Sequence, residues 1–532
     1  MTFPPIVEFT SDEFGKRTIS VRWARLSLVC AVLGILAWIC AAFALWFFVA
    51  KFNDFPGAKF TDILFPARWD NYRSTQGDHY IKQADEFVAK NDYISAFTKL
   101  RVGVAKSPGN SHGRILLAQF YVANRRPDLA ADVLLGGLPL LQNDRAYLQD
   151  ALRFLLDFKE DAKLLTVARE LLRSSSLSVD DKRLVAFFAA TAAFYRGNFD
   201  QAEDLMVNHR LTETTDGVIL QARLDWERGY PEIAILRLQS HLQVVPENES
   251  IYVQLGRFFR ERGDLASLEQ NAVQRLALNP LSHAPRLEFL YLYDQRKQAA
   301  RLEQEIESYL RNFSREPTAL LALADFAANT GKPALASRVN TINRTGLKPV
   351  EGPALMVAEA HIVAGEYQQA LTLIAEYKRA SPEWTKQFAS VFNGLQTVAL
   401  YGLGKPDEAR LFLEHLLGQA DLRAENLVAV SNRLASIGVR DQARVLLARA
   451  FEADPLNQAA LTQLVRLETA DNVVEPLPGH LRQLMKMRQP SREVLQAAYD
   501  RLAGDINLFL APQVELLAAL KSALANSPGQ KI

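Results

Sequence analysis

Residues 438–457 read GVRDQARVLLARAFEADPLN, and their reading decides the fold. Gly438 opens a charged turn, Ala443 and Ala450 are small residues in a helical stretch, and Pro455 closes it. Glycine before and proline after an apolar period mark a helix start and stop. The same offsets return along the chain. NDYISAFTKLRVGVAKSPGN (91–110) places Ala96, Gly103 and Pro108 where Ala443, Ala450 and Pro455 stand. GYPEIAILRLQSHLQVVPEN (229–248) keeps Gly229, Ala234 and Pro246, and GEYQQALTLIAEYKRASPE (365–383) keeps Gly365, Ala370 and Pro382. GDLASLEQNAVQRLALNP (263–280) keeps the glycine and proline but has Leu268 for the first small residue.

Taken together, Ala96, Ala130, Ala162, Ala202, Ala234, Leu268, Ala299, Ala336, Ala370, Ala409 and Ala443 recur at a spacing of about 34 residues, a period that marks a two-helix repeat. Each unit is read as a first helix with a small residue near its middle (Ala84, Ala118, Ala190, Ala222, Gly256, Ala324, Ala358), a turn, and a second helix. Small residues at the crossing let two antiparallel helices approach to about 8–10 Å. No unit can bury its apolar face alone, so the units stack.

These residues resemble the tetratricopeptide repeat over about residues 76–470, although the early Trp of that motif is missing and several units lack the final Pro. The resemblance implies an α-solenoid whose first helices line a concave groove for extended peptides or partner helices. The expected fold class is all-α: a single N-terminal transmembrane helix followed by tetratricopeptide-like helix pairs. The expected order is an N-terminal tail (1–25), a membrane helix (26–50), a connector (51–75), the array (76–470) and a helical capping segment (471–532), with Ser491 capping a helix and SPGQKI disordered at the end.

Residues 26–50 hold no Asp, Glu, Lys, Arg or His and are bounded by Arg25 and Lys51. They are long enough to cross a bilayer uncleaved, with Trp23 and Trp46-Phe47-Phe48 at the interfaces. Lys16, Arg17, Arg22 and Arg25 before the span place the tail inside, leaving the array outside the cytoplasm. Both cysteines, Cys30 and Cys40, fall within the span, so the array has no thiol for a disulfide or a metal.

The 61 basic and 60 acidic residues nearly cancel, so no field favours nucleic acid. Gly109-Asn110-Ser111-His112-Gly113 matches G-x-S-x-G, but a helix precedes it where a nucleophile elbow needs a strand. Gly402-Leu403-Gly404-Lys405-Pro406 is too short for a phosphate loop and has Pro for Ser/Thr. The eight histidines are scattered. No catalytic, cofactor or metal set is read, and no cofactor is expected. The binding residues are sought on the groove wall. Arg223 and Trp226 are followed one repeat later by Arg257 and Arg260, with Phe194 before them and Tyr291 after. Arginine forks suit carboxylates and aromatic rings supply stacking area. The function expected is a non-enzymatic, membrane-tethered scaffold or assembly factor for protein partners, in a bacterial inner membrane with a periplasmic array, serving the cell envelope or secretion. The alternatives are a periplasmic peptide-binding chaperone and an accessory docking subunit of a membrane enzyme or transport complex.

Overall fold

The computed structural model describes residues 7–11, 17–21, 23–52, 55, 57–346, 351–419, 422–504 and 513–526. Lys16, Arg22, part of the connector and SPGQKI lie outside these. The chain divides into two compact units, Met1–Val185 and Ala186–Ile532.

The first unit opens on a feature absent from the all-α expectation. Strand β1 (Val7–Ser11) pairs antiparallel with β2 (Arg17–Val21), Val7 opposite Val21. Helix α1 (Trp23–Phe52) follows, and its residues Leu26–Val49 are long and apolar enough to cross a membrane. The connector is folded. Its short helix α2 (Phe60–Leu64) and the start of α3 (Trp69–Ala89) pack along the C-terminal half of α1. Three indole N–H groups hold this collar together: Trp38 donates to the Leu64 carbonyl (2.9 Å), Trp46 to Ala58 (2.8 Å) and Trp69 to Ile63 (3.0 Å). Helix α3 then pairs with α4 (Tyr93–Lys106), and the pairs Ser111–Ala123 with Pro127–Leu135 and Arg145–Asp157 with Asp161–Arg173 follow. The PGNSHG turn joins two helices, and the Asn110 side chain caps the second by accepting from the Gly113 amide (2.8 Å).

In the second unit the helix pairing continues through Gln458–Ala470 and Leu477–Lys486, whose Leu461, Leu464, Leu481 and Leu484 share one core. Helical pairing therefore runs past residue 470. Ser491 stands at the N-cap of the helix Arg492–Leu502 without a side-chain capping bond.

Proline opens many second helices, at Pro127, Pro231, Pro333 and Pro406, where its missing N–H leaves no intrahelical bond unmade. The fourth residue of the second helix is the one buried at the crossing: Ala96, Ala130, Ala202, Ala234, Ala336, Ala370, Ala409 and Ala443 are fully buried. The first-helix residues Ala84, Ala190, Ala222, Ala324 and Ala358 are fully buried too. Two registers expected from sequence are corrected. Ala162 and Ala299 are exposed, and the crossing positions are taken by Leu164 and Leu302. With these in place, the steps from Ala130 to Leu164, Leu268 to Leu302 and Leu302 to Ala336 are equal, each one full repeat. The long step from Ala370 to Ala409 holds an extra short helix, Pro382–Gln387.

A buried phenol in the first unit gives a test of packing. Tyr147 is 1% exposed and donates to the Leu134 carbonyl at 2.6 Å. Burial pushes its pKa up to about 12, against the pull of Arg114. The folded state thus holds the neutral phenol more tightly than the unfolded chain, which ionises near pH 10. That contribution is complete below about pH 10 and is lost as the pH rises through about 12. Tyr147→Phe should lower stability by about 1 kcal/mol at neutral pH and flatten the fall of the urea midpoint above about pH 10. An alkaline fall as steep as wild type would refute the assignment.

Candidate partner-binding site

The site lies in the second unit, where the repeat spacing lays equivalent residues side by side. Arg223 and Glu227 sit on the first helix Thr215–Glu227, and Arg257 and Glu261 occupy the matching places on Glu249–Arg262. Phe194 and Tyr195 end the helix Val179–Tyr195. These side chains, with Trp226 and residues 489–492, line a cavity of about 510 Å³.

Aromatic and cationic groups interleave there. The Arg223 guanidinium lies 4.5 Å from the Phe194 ring centroid and 5.2 Å from that of Tyr195. The Arg488 guanidinium lies 3.9 Å from the same Tyr195 ring. Trp226 is half-buried and stacks flat on Phe258, with centroids 4.2 Å apart and planes 4° apart. Arg257 pairs with Glu261 along its own helix at 2.7 Å. Among the described residues Arg223 has no carboxylate at ion-pair distance; its charge rests on aromatic faces. The Glu227 carboxyl is held above its usual pKa, first by desolvation and then by Glu261, against Arg257 and Arg223. Solvent reaches Glu227 from the groove, but the walls on either side restrict its hydration. Arg223 and Arg257 thus stand beside two glutamates, Glu227 and Glu261, with Arg492 in the facing wall.

Of the six residues singled out in the sequence, Phe194, Arg223, Trp226 and Arg257 fall in this cavity. Arg260 and Tyr291 line a separate one of about 650 Å³. There Glu288, 8% exposed, accepts from Arg260 and from Arg275 (3.1 Å), so the Arg260 charge is already matched. Tyr291 stands edge-on to Phe326, with centroids 4.8 Å apart.

The repeat-spaced stripe of Arg223, Arg257 and Tyr291 goes on to Asp325 and Glu359, turning from basic to acidic. Arg433, from the helix Ala424–Ser436, reaches across to this acidic end. It donates to Glu359 at 2.8 Å and to the Asn329 side-chain carbonyl at 2.7 Å. Desolvation and Glu359 together hold Asp325 above its usual pKa, opposed by Asn329 and Arg433. The acidic end has a counter-ion at hydrogen-bond distance, whereas Arg223 feels Glu227 only from beyond ion-pair distance.

The second feature that sequence reasoning missed is a closure of the unit on itself. After its run of helix pairs the chain returns to its start: the Gln489 amide donates to the Tyr195 carbonyl at 2.7 Å, and Arg196 donates to the Lys486 carbonyl at 3.0 Å. Residues 489–492 therefore form one wall of the cavity. The acidic half of the stripe could have been found by extending the repeat spacing. A contact between positions as distant as Arg196 and Lys486 leaves no such periodic trace.

No protein-family model and no curated protein matches the chain. Solved structures do align with it. A tetratricopeptide repeat protein from Parabacteroides merdae is 14% identical over 47% of this chain and 96% of its own, with a TM-score of 0.28. The Cut9–Hcn1 hetero-tetramer of the APC/C aligns at 12% identity over 84% of this chain and 96% of the matched one, TM-score 0.24. The Naa15/Naa10 complex bound to HypK-THB aligns at 13% identity over 92% and 78%, TM-score 0.28. At such scores these likenesses assign no partner or role. The chain's own repeats, with their regular period, alternating helix order and buried fourth residue in each second helix, make the fold an α-solenoid of tetratricopeptide-like helix pairs.

Proposed function

We propose that the protein is a non-enzymatic scaffold, tethered through α1 to a bacterial inner membrane with its repeats on the periplasmic side. Its cavity at Arg223, Trp226 and Arg257 binds an acidic segment of a protein partner with an apolar anchor beside it. The observation that carries this reading is the charge balance along the groove stripe. The acidic end is matched at hydrogen-bond distance by Arg433, while Arg223 stands on aromatic faces with no carboxylate at ion-pair distance among the described residues. A guanidinium held in that way is oriented before a ligand arrives, which lowers the entropy lost on binding. At about 510 Å³ the cavity accommodates a short segment, and residues 489–492 set its limit.

Crosslinking in native membranes, read by mass spectrometry, tests this on the full chain. Trp226→Ala removes a central aromatic anchor and should weaken partner capture by roughly 2 kcal/mol, or about 30-fold. Arg223→Ala/Arg257→Ala should weaken it in a salt-dependent way. Far-ultraviolet circular dichroism checks that both variants keep the helical fold. Undiminished capture by both folded variants would move the binding face elsewhere.

A further inference from the structure

A groove of about 450 Å³ runs between the C-terminal half of α1 and the start of α3 in the first unit. Its walls are Trp38, Ala42, Leu45, Ile63, Trp69 and Tyr72, and Arg73, Gln76 and Lys106 stand at its edge. Both indoles already donate their N–H groups to backbone carbonyls, so they present dry ring surface to the groove. Among the described residues neither Arg73 nor Lys106 lies at ion-pair distance from a carboxylate. The Lys106 ammonium is bonded to the Gln76 amide oxygen and lies 5.5 Å from the Tyr80 ring centroid. We propose that this groove binds one anionic phospholipid, its acyl chain between α1 and α3 and its phosphate on Arg73 and Lys106.

The proposal rests on the reading that α1 lies in a bilayer, and the order of groups along the groove gives it direction. Trp38 meets Trp69 at one end, with centroids 6.3 Å apart. Tyr72 meets Phe55, beyond the end of α1, at 6.1 Å. Helix α3 therefore runs parallel to α1, and Arg73 lies about 6 Å past Trp69 toward the C-terminal end of α1. Helix α1 has 30 residues and is about 45 Å long, enough for the hydrocarbon core and both headgroup layers. Counted from Leu26, a core of about 30 Å ends about twenty residues on, near Trp46. Arg73 stands about one turn inside that level, where a snorkelling guanidinium reaches the headgroups, and the indoles are one turn deeper. Apolar walls inside and cations at the headgroup level are the polarity an anionic lipid requires.

The full chain reconstituted into nanodiscs tests this, with brominated acyl chains as quenchers on either phosphatidylglycerol or phosphatidylcholine. Trp69 stands off the membrane helix, so its contribution, taken as wild type minus Trp69→Phe, reports an acyl chain in the groove. That contribution should fall at least twofold in brominated phosphatidylglycerol, and Arg73→Glu/Lys106→Glu should return it to the phosphatidylcholine level. Native mass spectrometry provides a readout without Trp69→Phe: one phosphatidylglycerol retained per chain, reduced at least fivefold by the charge reversal. An unquenched Trp69 in a chain whose Trp38 is quenched would overturn the lipid site and leave the tether standing, as would lipid retention unchanged by charge reversal. A chain whose Trp38 and Trp46 both escape quenching would overturn the tether, and the lipid site with it.

Discussion

Gly217→Ala should destabilise the second unit by about 3 kcal/mol, at the upper end of the range for overpacking or above it. A Cβ at Gly217 would fall well inside contact distance of the Leu211 carbonyl and within 3.1 Å of the Thr212 amide. Those are backbone atoms of the single turn Leu211–Glu213, and that turn has little room to yield. Arg210 before it is already left-handed at φ 51°, and Leu211 itself is 2% exposed. Thr214 ties the turn to the helix, accepting from the Gly217 amide (3.2 Å) and donating to the Leu211 carbonyl (2.8 Å). Alanine's better helix propensity, up to about 1 kcal/mol, opposes the loss without cancelling it. Gly256→Ala is the control. Its Cβ would meet only a side chain, the buried Asn271 amide at 3.0 Å, which has to give by a few tenths of an ångström against its bond to the Tyr252 carbonyl, and the effect should be smaller. Urea midpoints of the full chain in detergent would show the contrast, and equal midpoints for the two variants would refute it. Because the helix Thr215–Glu227 carries Arg223 and Trp226, displacing it should disturb the cavity as well.

That contrast shows what a one-dimensional reading leaves out. Small residues at the crossings were legible because their regular spacing is a property of sequence alone. The errors at Ala162 and Ala299 arose from seeking a small residue in every second helix. A large residue can stand at a crossing: Leu268 fits its own because Gly256 faces it, its Cδ1 being 3.7 Å from where a Gly256 Cβ would stand. Leu164 and Leu302 occupy the same place in their own pairs. The basic half of the candidate site was legible for the same periodic reason, and Tyr291, Asp325 and Glu359 continue it. The balance of charge was not legible. It depends on Arg433 crossing to Glu359 from a helix far along the chain and on Glu288 sitting between Arg260 and Arg275. The folding of the connector onto α1 was likewise hidden, because its aromatic residues carry no helical period.

Closure of the second unit on itself leads to the last expectation. Gly197→Ala and Gly263→Ala should cost similar backbone strain, yet only the first should open the contact between Tyr195 and Gln489. Both glycines turn the chain between paired helices in the left-handed region, at φ 75° and 72°. Alanine there costs about 1–2 kcal/mol, partly offset by a less flexible unfolded chain. A Cβ at Gly263 would meet nothing within 4 Å. At Gly197 it would collide with the Gln489 side-chain amide and come within 3.3 Å of that residue's Cβ. The Gln489 side chain must swing aside, and the close approach to its Cβ is what presses on the backbone amide bonded to the Tyr195 carbonyl. The Arg196 bond to Lys486 and the Arg488 stack on Tyr195 hold the same short segment, so the three contacts should loosen together. Hydrogen exchange at the Gln489 amide reads this directly: at least tenfold faster in Gly197→Ala, unchanged in Gly263→Ala. Equal exchange in the two variants would mean that the return of the chain does not depend on the fit at Gly197. Since residues 489–492 form one wall of the candidate cavity, faster exchange should come with a wider site, and Gly197→Ala should then admit longer acidic segments than wild type.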